Sequence, residues 1–378
     1  MSTGSSPLRL LIAGGGTGGH VIPALAVLDE LQDRGIEMDV LWVGSDDGVE
    51  ARFTRERGIP FRQIQTGKLR RYFSWENFVD GLRLPVGTVQ AWSIVRGFKP
   101  DVVFSTGGNI SVPTVIASKW RAPILTHEQT AQVGMANKIS ARMVTRFACS
   151  YEQTAVIART MHKDVVVTGN PVRKTLTSGD KARGLERFGF SDSLPVLFVT
   201  GGARGASAIN ERIEAMLPDI LEITQIIHQT GPIDANPDFP RLSALQASLP
   251  DSVRSRYQVR EMITDEMADI YAMASLVIGR SGAGTVAELA YLGLPAILIP
   301  LDGTGGDEQW KNARLLADAE AAVVVAQKET SAETLESTLR ALLENGERLT
   351  TMSTNARALG RGDAAANVAD HILDLAGR

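Results

Sequence analysis

The sequence predicts an α/β protein built from two similar domains, each a doubly wound parallel sheet. Three observations carry this. Strand-like apolar runs alternate with helical patterns along almost the whole chain, which is how parallel sheets covered by helices on both faces read. Two glycine-rich turns stand in opposite halves, each behind an apolar run and ahead of a helix-period stretch: Gly14-Gly15-Gly16-Thr17-Gly18-Gly19-His20 and Gly201-Gly202-Ala203-Arg204-Gly205-Ala206. At 378 residues the chain is long for one core and suits two domains of ordinary size. A strand that runs into a glycine turn at a helix start offers backbone N–H groups and the positive end of a helix dipole to an anion. Having the device twice predicts Rossmann-like domains facing each other across a cleft that holds a diphosphate.

Taken in order, the apolar runs place strands in the first half near 8–13, 39–43, 61–65, 102–105, 124–126, 144–148 and 165–168. In the second half they fall near 196–200, 224–229, 257–260, 276–278, 296–299 and 322–325. Helical periodicity is clearest over 21–34, 110–120, 285–292 and 307–316. Gly169-Asn170-Pro171-Val172-Arg173 joins a glycine, a turn former and a proline behind a strand, a hinge between the halves. This gives an N-terminal domain over 1–168, a C-terminal domain over 169–346, and a helical tail over 347–378 expected to pack back on the first domain.

Hydrophobic residues make up 44% of the chain and charged ones 22%, enough for real cores and against disorder. A net charge of −4 gives no reason to expect nucleic acid. The single cysteine, Cys149, excludes an internal disulfide framework and reads as buried packing. The first seven residues are short and polar and do not read as a signal peptide, and no apolar run approaches the ~18 residues that span a bilayer. The expected location is cytoplasmic.

Gly14-x-Gly16-x-x-Gly19 matches a dinucleotide fingerprint, but that site also needs an acid at the end of the second strand, about 20 residues on. Asp39 opens that strand, and Asp46 and Asp47 lie past it, so an NAD enzyme is disfavoured. Thr17 and His20 stand at the start of the first helix, where His20 is a candidate proton acceptor. The bland reading is a helix cap at Thr17 and an ordinary polar His20. His127-Glu128-Gln129-Thr130 follows the strand near 124–126, and Thr106-Gly107-Gly108-Asn109-Ile110-Ser111 shares that sheet edge, with Ser111 a cap in its plain reading. The richest cluster is Arg280-Ser281-Gly282-Ala283-Gly284-Thr285-Val286-Ala287-Glu288. Its small residues admit a diphosphate to the backbone, and Glu288, one turn into the helix, suits vicinal ribose hydroxyls. A capping box ending in Glu288 is the alternative. Gly305-Gly306-Asp307-Glu308-Gln309-Trp310 offers amide and carboxyl groups for sugar hydroxyls. Over 68–99, Lys68, Arg70, Arg71, Arg83, Arg96 and Lys99 interleave with Tyr72, Phe73, Trp75, Phe78 and Trp92, against only Glu76 and Asp80. Such a patch fits an acidic membrane surface, or else a helix buried by its aromatics.

Together these blocks resemble the MurG family, the bacterial UDP-N-acetylglucosamine transferases that complete the lipid-linked peptidoglycan precursor. GGGTGGH, PDVVFSTGGNISVP, HEQ, GNPVR, GGARGA, RSGAGTVAE, GLPAILIP and EQWKNA occur in the family's order across nearly the whole chain. The resemblance implies a GT-B fold with UDP-GlcNAc held mainly by the C-terminal domain; no cofactor is expected, and no Asp-x-Asp pair stands in a convincing metal-binding loop, so no metal is expected either. It implies an undecaprenyl-diphosphate-linked N-acetylmuramyl pentapeptide as acceptor and a peripheral place on the cytoplasmic face of the membrane, through residues 68–99. Carried over, Glu288 binds the ribose, Ser281, Ala283, Gly284 and Thr285 cradle the nucleotide diphosphate, and Gln309 holds sugar hydroxyls. Arg173 reaches the nucleotide, and Ile263 lies near the uracil. Thr17, Gly18, Gly19 and His20 face the reaction centre, with His20 the base and Glu128 an alternative base or an orienting partner.

The chain departs from the family pattern at Thr130, often asparagine, and at Ala203 and Arg204, commonly serine and glutamine. The loop over 302–306 is one residue longer. The expected reaction is inverting transfer to the acceptor 4-hydroxyl, with the leaving charge met by backbone N–H groups and Arg204 or Arg280. The rivals are a related GT-B transferase acting on another lipid and a non-hydrolysing UDP-sugar epimerase.

Overall fold

The computed structural model describes residues 6–45, 48–67, 75–303 and 306–378, with the backbone alone for 75–82. Among these, strands form at all the apolar runs named above. The first sheet holds β1 (Leu8–Gly14), β2 (Met38–Gly44), β3 (Phe61–Gln63), β4 (Val102–Gly107), β5 (Ile124–Glu128), β6 (Arg146–Cys149) and β7 (Val165–Val167). Its order is β3-β2-β1-β4-β5-β6-β7. The second holds β8 (Val196–Thr200), β9 (Gln225–Gln229), β10 (Tyr257–Arg260), β11 (Ala274–Gly279), β12 (Ala296–Leu298) and β13 (Ala322–Val324), in the order β10-β9-β8-β11-β12-β13. Every pairing is parallel, with Ile12 opposite Trp42 and Val199 opposite Ile278 as examples. In both sheets the winding reverses between the first and fourth strands, at β1/β4 and at β8/β11. Open parallel sheets bind ligands at that reversal, beyond the carboxyl ends of the strands.

Side-chain alternation along the strands feeds a core on each face of the first sheet. Leu11, Val43, Val103, Phe147 and Cys149 belong to one core, and Leu10, Ile12, Trp42, Phe104 and Leu125 to the other. Helix Gly18–Asp33 covers the second face with Val21, Leu25, Leu28 and Leu31, and stops where Gly35 takes φ +72° and its N–H bonds the Gln32 carbonyl. Burial pushes the Cys149 thiol up to about 12, as befits a packing residue.

The chain divides into two units, Met1–Arg173 with Arg361–Arg378, and Lys174–Gly360. These divisions fall later than the sequence boundaries at 168 and 346. Of the tail, helix Gly346–Leu359 stays with the second unit, and only helix Ala364–Leu375 joins the first. The latter buries Val368, Ala369 and Ile372 in the core over helix Gly18–Asp33. Gly169 makes its approach feasible: at φ +84°, a Cβ there would lie 2.8 Å from the Arg361 Cβ. Polar ties add Asp370 on Arg34, and Asp374 on Arg146 at 2.8 Å. No helix among the described residues is long and apolar enough to cross a membrane.

Candidate active site

The first glycine turn leaves β1 at the reversal, where the register against β4 shifts between Ala13 and Gly14. The turn is fastened from below by Glu50, which is buried and was not singled out in the sequence. One carboxyl oxygen accepts from the Gly16 N–H at 2.8 Å, and the other from the Ser45 N–H at 2.8 Å and Ser45 Oγ at 2.9 Å. Gly15, Gly44 and Gly48 form its cradle, since a Cβ on any of them would come within 2.2–2.6 Å of the Glu50 side chain. The Gly16 N–H is therefore already engaged by an internal acid, which corrects the expectation that this turn offers that amide to a bound anion. A glutamate in a pocket of three glycines is hard to see without the fold. The signal was Gly44 and Gly48 flanking the start of a short helix.

Thr17 precedes helix Gly18–Asp33 in extended conformation, and its side chain makes no capping bond, so the bland cap reading fails. Gly18, Gly19 and His20 make the first turn. His20 is half-buried, and its Nδ1 lies 2.7 Å from the Thr106 carbonyl at the end of β4 and 3.1 Å from Gln129 Oε1. Gly107 and Gly108, at φ +89° and +80°, flank the ring: a Cβ on either would sit 3.4 Å from an imidazole carbon. Ser111 does not cap; its hydroxyl donates to the Gly108 carbonyl at 2.8 Å.

β5 runs on through His127 and Glu128, so these are strand residues rather than loop residues beyond it. Glu128 is buried and saturated. Thr130 Oγ donates to one oxygen at 2.8 Å, and the Gly134 N–H and Asn137 Nδ2 donate to the other at 2.8 and 2.9 Å. The contacts that orient His20 come from Thr106 and Gln129, not from Glu128, whose lone pairs shape the loop to Gly134. Thr130, the departure from the usual asparagine, thus turns its hydroxyl inward, between the Glu128 carboxyl at 2.8 Å and the Gln132 carbonyl at 2.5 Å. Asn137 was missed by the sequence reading; its amide also meets Thr126 Oγ at 3.1 Å. His127 is fully buried, and that burial pulls its imidazole down to about 4.

In the second unit the reversal brings β8 and β11 side by side. Helix Ser207–Ala215 starts behind Gly201–Ala206, and helix Ala283–Leu292 behind Gly282. Neither has a side-chain cap at its N-cap residue or an acid in its first turn, so no internal carboxylate opposes the positive end of either helix dipole there. The capping box is excluded by Gly282 at the cap. Ala203 and Arg204 are exposed at the tip of the β8 turn, where Gly202 and Gly205 take φ +80° and +73°. Ser281 is buried and donates to the Gln309 carbonyl at 2.7 Å, tying the β11 loop to helix Glu308–Ala317. Ala283 is buried, while Gly284 and Thr285 are partly open, and a Cβ on Gly284 would meet nothing. Glu288 accepts from the Tyr271 hydroxyl at 2.8 Å. Ile263 is buried, its N–H donating to Gln229 Oε1 at 3.1 Å. Gln309 Oε1 accepts from the Leu301 N–H at 2.9 Å.

Arg280 differs from expectation. Its guanidinium donates to the Ile299 carbonyl at 2.9 Å and to Gln327, and burial, then the nearby Arg212 charge, lowers its pKa. It braces the strand ends, which leaves Arg204 as the exposed cation of the two. Arg173 closes the first unit with a buried Nε that has no hydrogen-bond partner among the described residues. Of the basic-aromatic stretch, Lys68, Arg70, Arg71, Tyr72 and Phe73 lie outside the described residues, as do the side chains of Trp75, Glu76, Phe78 and Asp80. So do Asp46, Asp47 and Gly305.

Residues 10–149 match the glycosyltransferase family 28 N-terminal domain, and 196–371 match the family 28 C-terminal domain. A Listeria monocytogenes UDP-N-acetylglucosamine–N-acetylmuramyl-(pentapeptide) pyrophosphoryl-undecaprenol N-acetylglucosamine transferase is 35% identical over 97% of this chain and 99% of its own. The chain belongs to the MurG family. A Pediococcus pentosaceus transferase of the same name is 36% identical over 96% of this chain and 98% of its own. The crystal structure of Acinetobacter baumannii MurG superposes with a TM-score of 0.73 at 29% identity, covering 97% of this chain and all of that one (100%). A Neisseria meningitidis UDP-GlcNAc 2-epimerase, bound to UDP-GlcNAc, shares the fold alone, at 16% identity and TM-score 0.68 over 97% of this chain. The MurG family is a family of GT-B transferases, and the two parallel-sheet units have that architecture.

Proposed function

We propose that this chain transfers N-acetylglucosamine from UDP-GlcNAc to the 4-hydroxyl of undecaprenyl-diphosphate-linked N-acetylmuramyl pentapeptide, with inversion, in peptidoglycan synthesis. The observation that carries the chemistry is His20, whose Nδ1 faces two acceptors and whose Nε2 has no partner among the described residues. In its neutral form such a ring keeps its one proton on Nδ1 and offers a lone pair on Nε2. As the acceptor oxygen bonds the anomeric carbon, its proton passes to Nε2, and UDP departs with the electrons of the broken carbon–oxygen bond. Thr17, Gly18 and Gly19 line the same turn.

For the donor, the helix N-termini behind β8 and β11, which have no side-chain cap and no first-turn acid, support a diphosphate placed beside their positive dipole ends and Arg204, charge stabilisation that is aligned before reaction. Glu288, oriented by Tyr271, takes the ribose hydroxyls. Ile263 borders the uracil, Gln309 and Thr130 the sugar, and Ala203 and Arg173 the nucleotide. We assign the first unit to the acceptor. Peripheral attachment to the cytoplasmic face of the membrane is supported by exposed tryptophans among cations. Trp92 is 41% exposed, with the Arg96 and Arg121 guanidinium groups 5.3 and 5.2 Å from its ring. Trp120 is 84% exposed beside Lys119. Tryptophan amid basic groups suits the interface of an anionic bilayer.

Two substitutions test the reading. His20→Ala should lower turnover by about 10²- to 10⁴-fold, the usual worth of a general base, with UDP-GlcNAc affinity unchanged. Glu288→Ala should chiefly weaken UDP-GlcNAc binding in calorimetry. Undiminished turnover in the first, or undiminished affinity in the second, removes that assignment.

A further inference from the structure

Behind His20 runs a buried chain of hydrogen bonds in which each proton position is forced by the next. It begins at the Gly169 carbonyl, 2.9 Å from His127 Nε2. A carbonyl only accepts, so Nε2 carries the proton. His127 is completely buried and neutral, so its Nδ1 is a bare lone pair. The Gln129 amide comes next, itself buried. Its Nε2 lies 2.9 Å from the Thr106 carbonyl, 3.1 Å from the His127 carbonyl and 3.3 Å from His127 Nδ1. All three are acceptors, so only the NH2 end of the amide fits there. The Oε1 end must then face His20, and it lies 3.1 Å from Nδ1. With the Thr106 carbonyl at 2.7 Å, His20 Nδ1 meets two acceptors and must donate.

We propose that Gln129 and His127 are positioning residues for His20, locking its ring and its Nδ1–H tautomer so that Nε2 is the atom that receives the acceptor proton. The assignment deepens the reading of His20 as base and rests on it for its catalytic meaning. The tautomer itself is a property of the free protein. Neither Gln129 nor His127 touches the reacting atoms; they act through His20, as a buried carboxylate or carbonyl does behind many catalytic imidazoles.

The test is a long-range ¹H–¹⁵N correlation spectrum of protein labelled with ¹⁵N-histidine, in which each ring reports the nitrogen that bears its proton. With five histidines in the chain, single substitutions suffice for assignment. Wild-type His20 should show a protonated Nδ1 and a bare Nε2, and His127 the opposite pattern; a wild-type His20 with Nε2–H overturns the proposal whatever the variants do. Gln129→Leu leaves the Thr106 carbonyl as the remaining acceptor at Nδ1, so a measurable Nε2–H fraction should appear beside a still dominant Nδ1–H form, and kcat should fall about tenfold with KM for UDP-GlcNAc unchanged, the loss expected of one hydrogen bond. A Gln129→Leu protein whose folded spectrum and kcat both match wild type also overturns the proposal. If His20→Ala retains full turnover, the reading of His20 as base fails, and the spectra still decide the tautomer independently.

Discussion

Replacing Glu50 by glutamine should destabilise the first unit without altering its surface. The carboxyl accepts from three donors with no room to move, because Gly15, Gly44 and Gly48 close around it. An amide retains one oxygen. If that oxygen keeps the two Ser45 bonds, its NH2 group is pressed against the Gly16 N–H, leaving a buried donor unsatisfied at a cost of about 1–3 kcal/mol. Charge-assisted bonds also become neutral ones, while the smaller desolvation cost of an amide gives part of this back. The net loss should be about 2 kcal/mol. Denaturant unfolding followed by tryptophan emission reads it well, since Trp310 is the only one of the five tryptophans outside the first unit and Trp42 Nε1 bonds the Gly14 carbonyl beside the loop. A double-mutant cycle sharpens the test. Gly48→Ala places a methyl 2.2 Å from the Glu50 carboxyl, so it should destabilise the wild type yet be tolerated once Glu50 is alanine. A Glu50→Gln change below about 0.5 kcal/mol, or additive effects of Gly48→Ala and Glu50→Ala, would refute the claim that this carboxyl holds the turn carrying Thr17 to His20.

Acid should destabilise both units through buried neutral imidazoles. His127 and His228 are held at about 4 and about 3, the latter between Tyr257 and Asn210, each mainly by burial. Unfolded, they protonate near 6.5, so stability is at its reference value above that pH and falls as pH drops toward 4, by roughly 3 kcal/mol for His127. His228→Gln should flatten the acid limb of unfolding midpoint against pH, and an unchanged limb contradicts the assignment. Arg204→Ala should raise the dissociation constant for UDP several-fold and make it less sensitive to salt; the same constant in both proteins removes Arg204 from the diphosphate site. Trp120→Ala and Arg121→Ala should each weaken sedimentation with vesicles of anionic phospholipid while leaving transfer to a water-soluble short-chain acceptor intact, and equal sedimentation would argue against this face.

Much of the fold is legible because parallel strands buried on both faces read as continuous apolar runs, and the glycine turns mark where they end. Misreadings cluster where side chains choose partners across the sheet. Glu128 sits in a motif next to reactive-looking neighbours, but alternation along β5 sends His127 and Glu128 to opposite sides, and Gln129 is the residue that reaches His20. Arg280 adjoins a small-residue loop in sequence, yet its long side chain is free to turn back to Ile299. Glu50 gathers groups from three segments that only the β1/β2 pairing brings together. The tail divides because helix Ala364–Leu375 carries a buried apolar stripe that fits the first core, which helical pattern alone does not assign to either unit.

Transfer itself is read by incubating the purified chain with UDP-[¹⁴C]GlcNAc and a short-chain analogue of the muramyl-pentapeptide diphospholipid, with a chelator present. A labelled disaccharide lipid with a β-(1→4) linkage should form in step with UDP release. UDP-GlcNAc binding without that product, or transfer only to a different lipid, would contradict the proposed transfer.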